Sequence, residues 1–462
     1  MNKELKRRIL FSSLFMSIYE VLYAKVKCYN CVESFLFDAR SIVMENKVNV
    51  NKYIPLVGSA GLGSMLGFGI ICGLAVTITL WQRGMGLTDS QVGILSGSLT
   101  FAIAAGSLLA GTITEKFGLF KPFDYMNVLY AAGALMCVFS LDFYMLFVGL
   151  ILIGFASGAD LPISLTVLSH DAEDENVSAR LIAMVQMFWT IGALTCNTLG
   201  FVVSKTEGTL GGRIVFSVLA LISITAFIWR RFSGKVQRLH EEGKGYRTVD
   251  NDEEEQTVSL RQLFSGENGR KYLVFFACIT AFYCFWNLLS NTFGQFQAYI
   301  LVRANATQTF ATGMGIVLTI VAMIGVAIFS YVAGSKHRNT FFYAGSFVQA
   351  AAMVGIAVMN DSVWMMVAMI ACYNVGAPFA GETIYKIWTQ ESFPMEARAA
   401  VQGIINGFSR FLCGLFALIT PMLVTADRIG TTMYGFAGVI IASAISGAAM
   451  IHFQKKYGVT QK

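Results

Sequence analysis

The stretch FYMLFVGLILIGFASGADLPISLTVL, Phe143 to Leu168, decides the class of this protein. It is apolar or small almost throughout, and it is longer than the roughly 20 residues a helix needs to cross a bilayer core. Yet it contains Asp160. A carboxylate at that depth costs at least about 2.5–3.5 kcal/mol on insertion scales, so by default it marks an ion or substrate pathway. The rest of the chain has the same character. Of 462 residues, 55% are hydrophobic and only 13% charged, against about 25% charged in soluble domains. The mean hydropathy is +0.60. Because the deficit of charge runs along the whole length, the chain reads as an all-α polytopic membrane protein rather than a soluble domain with one anchor.

Twelve apolar spans follow, near 54–81, 89–114, 122–141, 143–168, 179–204, 210–230, 271–301, 308–333, 339–359, 361–388, 398–424 and 430–453. The longest polar stretch, Arg231 to Arg270, carries the acidic run Asp252-Glu-Glu-Glu255 and divides the spans six and six. This predicts bundles over 54–231 and 271–453, a cytoplasmic linker over 232–270 with a short amphipathic helix near Leu260–Phe264, and a tail over 454–462. Counting Lys and Arg by loop sets the orientation. With the start of span one inside, the inner loops collect Lys116, Lys121, Arg180, the basic residues of the linker, Lys336, Arg338 and Arg398. The outer loops keep Arg83, Lys205, Arg213, Arg303 and Arg428. Both termini are therefore expected in the cytoplasm. Residues 1–53 form an N-terminal extension. Its apolar run Ile9–Ala24 is short and contains Glu20, so it is expected along the membrane surface; a natural start at Met44 is the other reading. Most of the nine cysteines fall in apolar runs and read as packing residues, and Cys28-Tyr-Asn-Cys31 is weak evidence for a metal or redox site.

Two loops repeat each other. After span four, Glu173 is followed seven residues on by Arg180; after span ten, Glu391 is followed seven residues on by Arg398. Duplicated halves with a site between them near mid-membrane are a transporter architecture. Such ionic pairs, worth about 0–1 kcal/mol when exposed, are weak enough to break in every cycle of an inner gate. The loop between spans two and three reads Gly111-Thr-Ile-Thr-Glu115-Lys116-Phe-Gly118-Leu-Phe-Lys121 and resembles the Gly-x-x-x-Asp-Arg-x-Gly-Arg signature of the major facilitator superfamily. Gly334-Ser-Lys336-His-Arg338 is its degenerate copy in the second half. Glu391-Ser-Phe-Pro394-Met-Glu-Ala-Arg398 and Gly154-Phe-Ala-Ser-Gly158-Ala-Asp160-Leu-Pro162 resemble the sugar porter branch. Arg410, after Asn406-Gly-Phe-Ser, is similar to the eleventh span of the organic-ion and aromatic-acid porters. The resemblance covers roughly residues 54–453. It implies the major facilitator fold, two six-helix bundles, with Gly111, Glu115, Lys116, Gly118, Glu173, Arg180, Glu391 and Arg398 at the cytoplasmic gate.

Several polar groups are placed to face a solute. Asn287, Asn291 and Gln295 recur at i, i+4 and i+8 and share one stripe of span seven; each amide donates and accepts, which suits a hydroxyl-rich ligand. Trp286 could wall a sugar or polyol ring. The other reading of the stripe is interhelical bonding, worth about 0.6 kcal/mol per contact. Gln402, Asn406 and Arg410 form a parallel stripe in span eleven. Trp189 and Gln186 of span five are further candidates, Gln186 through the sugar porter resemblance. Asp160 reads as a proton carrier or as a structural partner, for instance of Arg410. Glu382, four residues from Lys386, is a second candidate carrier. The glycines Gly58, Gly61, Gly63, Gly67 and Gly69 of span one read as packing positions.

The expectation is a secondary transporter of a sugar, inositol or other polyol, working by alternating access with proton symport in the plasma or inner membrane. An organic-anion symporter is the alternative substrate class, and a non-transporting membrane sensor the alternative of another class. No Gly-x-x-x-x-Gly-Lys-Ser/Thr loop, metal-spaced His cluster or nucleophile elbow is present, which argues against an enzyme, an ATP-driven pump or a bound cofactor. The expected partners are a small-molecule substrate, protons and the lipid bilayer, without nucleic acid, and the chain is expected to act as a monomer.

Overall fold

Helix boundaries follow local chemistry. The first long helix, α1 (Ile54–Met85), ends at Gly86, whose φ of 66° lies in the left-handed region that glycine tolerates. Two residues later Thr88 opens α2 (Asp89–Phe117) with a capping box, its side chain accepting from the Gln91 backbone while the Gln91 side chain accepts from the Thr88 backbone. Asp142 caps α4 (Phe143–Asp171) by accepting from Met145 N at 2.8 Å. The computed structural model describes residues 50–173, 175–247, 260–266, 268–332, 337–359, 362–425 and 428–459. The Ile9–Ala24 run, Cys28, Cys31, Met44, the acidic run 252–255 and Lys336 lie outside them.

The other helices of the first half are α3 (Phe120–Val138), α5 (Glu175–Val202) and α6 (Leu210–Phe232). Then come α7 (Gly234–Arg247) and α8 (Leu260–Ser265). The second half comprises α9 (Gly269–Arg303), α10 (Gln308–Val332), α11 (Arg338–Val358), α12 (Val363–Gly376), α13 (Glu382–Ser392), α14 (Met395–Leu423) and α15 (Ile429–Lys456). Ten of these are long and apolar enough to cross a membrane, among the described residues. The 19-residue α3 supplies the expected third span. It is less apolar because Lys121, Asp124 and Asn127 occupy its first turns, the last two buried against neighbouring helices.

The expected tenth span, 361–388, is not one helix. It breaks between α12 and α13, at Ala377-Pro378-Phe-Ala-Gly381. Proline lacks the N–H that would continue the ladder, and its ring clashes with the preceding turn. Irregular backbone at membrane depth persists only where its polar groups are met by protein or line a cavity. Both conditions hold: Gln349 Nε2 donates to Gly376 O and Ala380 O at 3.4 and 3.2 Å, and Thr383 Oγ1 donates to Pro378 O.

The linker is also more structured than expected. The helix near Leu260–Phe264 is α8, packed on α9 and α14. A second helix, α7, docks on α4, α1 and α6. Its anchor is Asp171, fully buried, which is bonded by His240 Nδ1 at 2.5 Å and His170 Nδ1 at 2.8 Å beneath the ring of Phe120.

The two halves meet along α2 and α14. Gly93 and Gly97 lie so close to Leu418 that a methyl on either would collide with it, and Gly414 meets Phe101 in the same way. At the end where α1 runs into α2, hydrogen bonds also join the halves. Thr79 Oγ1 donates to Gln308 Oε1 (2.6 Å), Gln308 Nε2 to Val76 O (2.8 Å), Ser204 pairs with Thr309 (2.7 Å), and Arg303 pairs with Asp89. Tyr299 donates to the same carboxylate at 3.1 Å and Gln82 at 2.7 Å.

Candidate functional site

Below that bonded end, a cavity of about 710 Å³ lies between α1 and α5 of the first half and α9, α10, α12 and α13 of the second. Within its lining, Asn197 Nδ2 donates to Thr319 Oγ1 at 3.3 Å across the halves. The lining is mostly apolar, and most of the polar groups set into it are neutral and hydrogen-bonding: Thr190, Asn197, Ser290, Gln297, Thr319, Asn374 and Thr383. Trp189 and Trp286 face it from opposite halves, each near the middle of its helix. Trp189 is stacked on Phe68, with ring centroids 5.1 Å apart. The charged lining residues are Glu382 and Lys386, paired at 2.8 Å and each 50% exposed. The α12–α13 break puts them there: Glu382 is the first residue of α13, and Lys386 stands one turn on. Such a chamber can wrap a small uncharged ring and satisfy its hydroxyls without a net charge of its own.

The expected site residues distribute unevenly. Trp189, Trp286 and Glu382 line the cavity. The amide stripe of α9 does not; it turns to neighbouring helices. Asn287 Nδ2 donates to Ser409 Oγ at 2.8 Å, and Gln295 Nε2 donates to Thr100 Oγ1 at 2.6 Å and to Asn291 Oδ1 at 3.2 Å. The cavity takes the adjacent stripe instead: Trp286, Ser290, Phe293 and Gln297. Gln402, Asn406 and Arg410 are half-buried on α14 outside the cavity wall. The side chain of Gln186 lies outside the described residues.

Asp160 is 4% exposed, and its partner is Arg230 rather than Arg410. The guanidinium bonds both carboxylate oxygens, at 2.5 and 3.1 Å, and donates to the carbonyls of Ser59 and Phe123 while lying over the Phe123 ring. Gly63 of α1 leaves the space: any side chain there would strike Asp160 and Arg230. Arg230 is wholly buried, although beside Arg231 it reads in sequence as the charged end of a span.

At the opposite end from the cross-half bonds, Glu391 is held by Arg338 through two bonds of 2.7 and 2.8 Å, not by Arg398. Arg398 Nε donates to Phe393 O at 3.0 Å. Gly111, Glu115, Lys116 and Gly118 lie at the α2–α3 turn, where all but the Gly118 backbone is helical. Glu173 follows α4, and Arg180 is half-buried on α5. Of the lining groups that sequence reasoning missed, Asn197 carried a signal: Trp189, Ala193 and Asn197 recur at i, i+4 and i+8.

The sequence signature of the Major Facilitator Superfamily matches residues 57–418. The minor myo-inositol transporter IolF of Bacillus subtilis is 28% identical over 400 residues, 84% of this chain and 88% of its own. The niacin transporter NiaP of Acinetobacter baylyi is 25% identical over 425 residues, 85% of this chain and 92% of its own. Among solved structures, a D-xylose-proton symporter superposes with a TM-score of 0.70 at 12% identity, covering 85% of this chain and 96% of that one. At that identity the likeness is one of fold.

Proposed function

Because the chain belongs to the major facilitator superfamily, we propose that this multi-pass membrane transporter carries a sugar, inositol or related polyol across the plasma or inner membrane by alternating access. The observation that carries the substrate class is the cavity between the halves, with its neutral amides and hydroxyls, two tryptophans, and one ion pair that cancels itself. The inositol transporter among its relatives supports the same class. Both termini are cytoplasmic in this reading, so the bonded α1–α2 end is the outer one and the structure represents an inward-facing state. The protein works as a monomer in the lipid bilayer.

Coupling is to protons, and Glu382 is the better-placed carrier of the two candidates. It is half exposed to the cavity beside a lysine that can take over as counter-charge. Asp160 is sealed against Arg230 and has no such access. The gate residues Glu115, Lys116, Glu173, Arg180, Glu391 and Arg398 close the inner end when the cavity faces out.

One observation favours a second reading. Lys386 in the cavity wall offers a cation for a carboxylate, and the niacin transporter among the relatives fits an organic anion. Uptake of labelled inositol and hexoses, set against nicotinate and benzoate-like acids, separates the two in proteoliposomes. Accumulation of the polyols is expected; accumulation of the acids alone overturns the assignment.

A further inference from the structure

A second void lies on the far side of α9 from the solute cavity. It measures about 650 Å³, and every residue lining it comes from α9 or α14. Its place follows from helix geometry, because nine residues at about 100° each make two and a half turns. On α9, Ala277 and Ala281 of this groove stand nine residues from Trp286 and Ser290 of the cavity. On α14, Leu415 and Ile419 stand nine residues from Asn406 and Arg410. The groove therefore runs along the backs of both helices and opens to the bilayer, where Phe285, Phe408, Leu415 and Ile419 are exposed. Among its lining side chains only Thr280 and Cys284 carry a heteroatom.

The duplicated half shows why the groove is there. Glu173 and Arg180 recur as Glu391 and Arg398, 218 positions on in each case, so Phe188 and Gly192 of α5 correspond to Asn406 and Arg410 of α14. In the first half the seam between α1 and α5 is closed. A methyl on Gly192 would strike the Met65 carbonyl, and the Phe188 ring fills the space that Gly61 leaves. An arginine in the place of Gly192 forbids that backbone contact, and an asparagine is too small to replace the ring. The second half is left with a channel along the same seam.

From Phe276 to Leu288 the groove follows α9 for twelve residues, about 18 Å. That is roughly the depth of one leaflet, half of a core about 30 Å thick. In the orientation adopted above, α9 begins at the inner face. Beyond the inner end of the groove, Arg270 lies two turns before Ala277 on the same stripe and is exposed. A basic residue at that depth attracts the anionic headgroups of the cytoplasmic leaflet. We propose that this groove binds one anionic phospholipid of the inner leaflet, with an acyl chain between α9 and α14 and the phosphate on Arg270. Phe276 at that end is braced by Phe264 of α8, ring centroids 5.5 Å apart, so the bound chain rests against the residue that seats the linker helix. The inference rests on the membrane orientation and is independent of the solute.

The test is native mass spectrometry of the delipidated full chain in detergent, with phosphatidylglycerol and phosphatidylcholine of identical chains. Wild type is expected to bind one lipid ahead of all others, and phosphatidylglycerol about fivefold more tightly than phosphatidylcholine, the worth of one surface cation. Ala281→Trp fills the groove and should lose that first lipid of either kind. Ala277→Trp, at the more exposed margin, should do the same. Arg270→Gln should keep the lipid and lose the preference. Thermal midpoints of the lipid-free variants near that of wild type show that each is folded; a fall confined to one tryptophan leaves the other and Arg270→Gln as the measure. Graded binding of many lipids that neither tryptophan alters means annular lipid only and overturns the site. A preference for phosphatidylglycerol that survives Arg270→Gln overturns the placement of the phosphate.

Discussion

Asp160 and Glu382 are both carboxylates at membrane depth, yet their surroundings assign them different work. Asp160 is clamped bidentately by Arg230 and covered by Gly63. Removing one partner of a buried pair leaves an uncompensated charge and costs about 3–5 kcal/mol. Asp160→Asn should therefore lower the thermal midpoint of the detergent-solubilised protein and abolish uphill uptake and counterflow together. The double variant Asp160→Asn, Arg230→Met removes the stranded charge, and it should recover most of the midpoint. Glu382 is half exposed on the cavity wall, with a lysine 2.8 Å away. Glu382→Gln should leave the midpoint close to wild type, abolish uphill accumulation and retain counterflow exchange. If Asp160→Asn instead keeps its midpoint and its counterflow, the two roles have been assigned the wrong way round.

At the scale of single helices, the interrupted tenth span is the decisive element. Pro378→Ala restores the N–H that the ladder lacks, and it should let α12 run on through the break. The expected result is a higher thermal midpoint with reduced uptake, because straightening carries Glu382 and Lys386 away from the cavity. The existence of most spans was legible from apolar length alone: among the described residues eleven of the twelve are single helices, ten of them long and apolar enough to cross a membrane. The break was less so: Pro378 and Gly381 are residues that membrane helices tolerate, and nothing local says that the chain stops being helical between them. Orientation of a helix about its own axis was the harder matter. On α9, the stripe of Asn287 and the stripe of Trp286 are one residue, about 100°, apart. Both mix polar and apolar groups, so periodicity cannot say which one meets a cavity and which one meets α14. Arg230 was hidden by its neighbour Arg231, since two adjacent arginines at a span's end read as an interfacial anchor. The partner of Asp160 depended on three-dimensional proximity across 70 positions of chain.

For the molecule as a whole, closure at the α1–α2 end is built from many modest bonds. The Asp89–Arg303 pair is about one-third exposed on each side, and such a pair is worth about 0.2–1 kcal/mol. Asp89→Asn should then shift the balance between states by no more than about fivefold. The readout is the labelling rate of a cysteine placed at Ala75, on the cavity wall, from the side bearing loop 86–88. Adding Gln308→Leu removes two buried bonds and should raise that rate well beyond the single change; an unaltered rate in the double variant would show that these contacts do not set the closure. A different consequence follows from where the linker helices sit. Helix α7 is anchored to the first half through His240 and Asp171, and α8 rests on α9 and α14 of the second. Each half thus carries its own piece of the connection, and the seam of α2 on α14 supplies cohesion of its own. The peptide bond between α7 and α8 should accordingly be severable: two separately translated fragments, cut there and co-expressed, are expected to find one another in the bilayer and restore uptake.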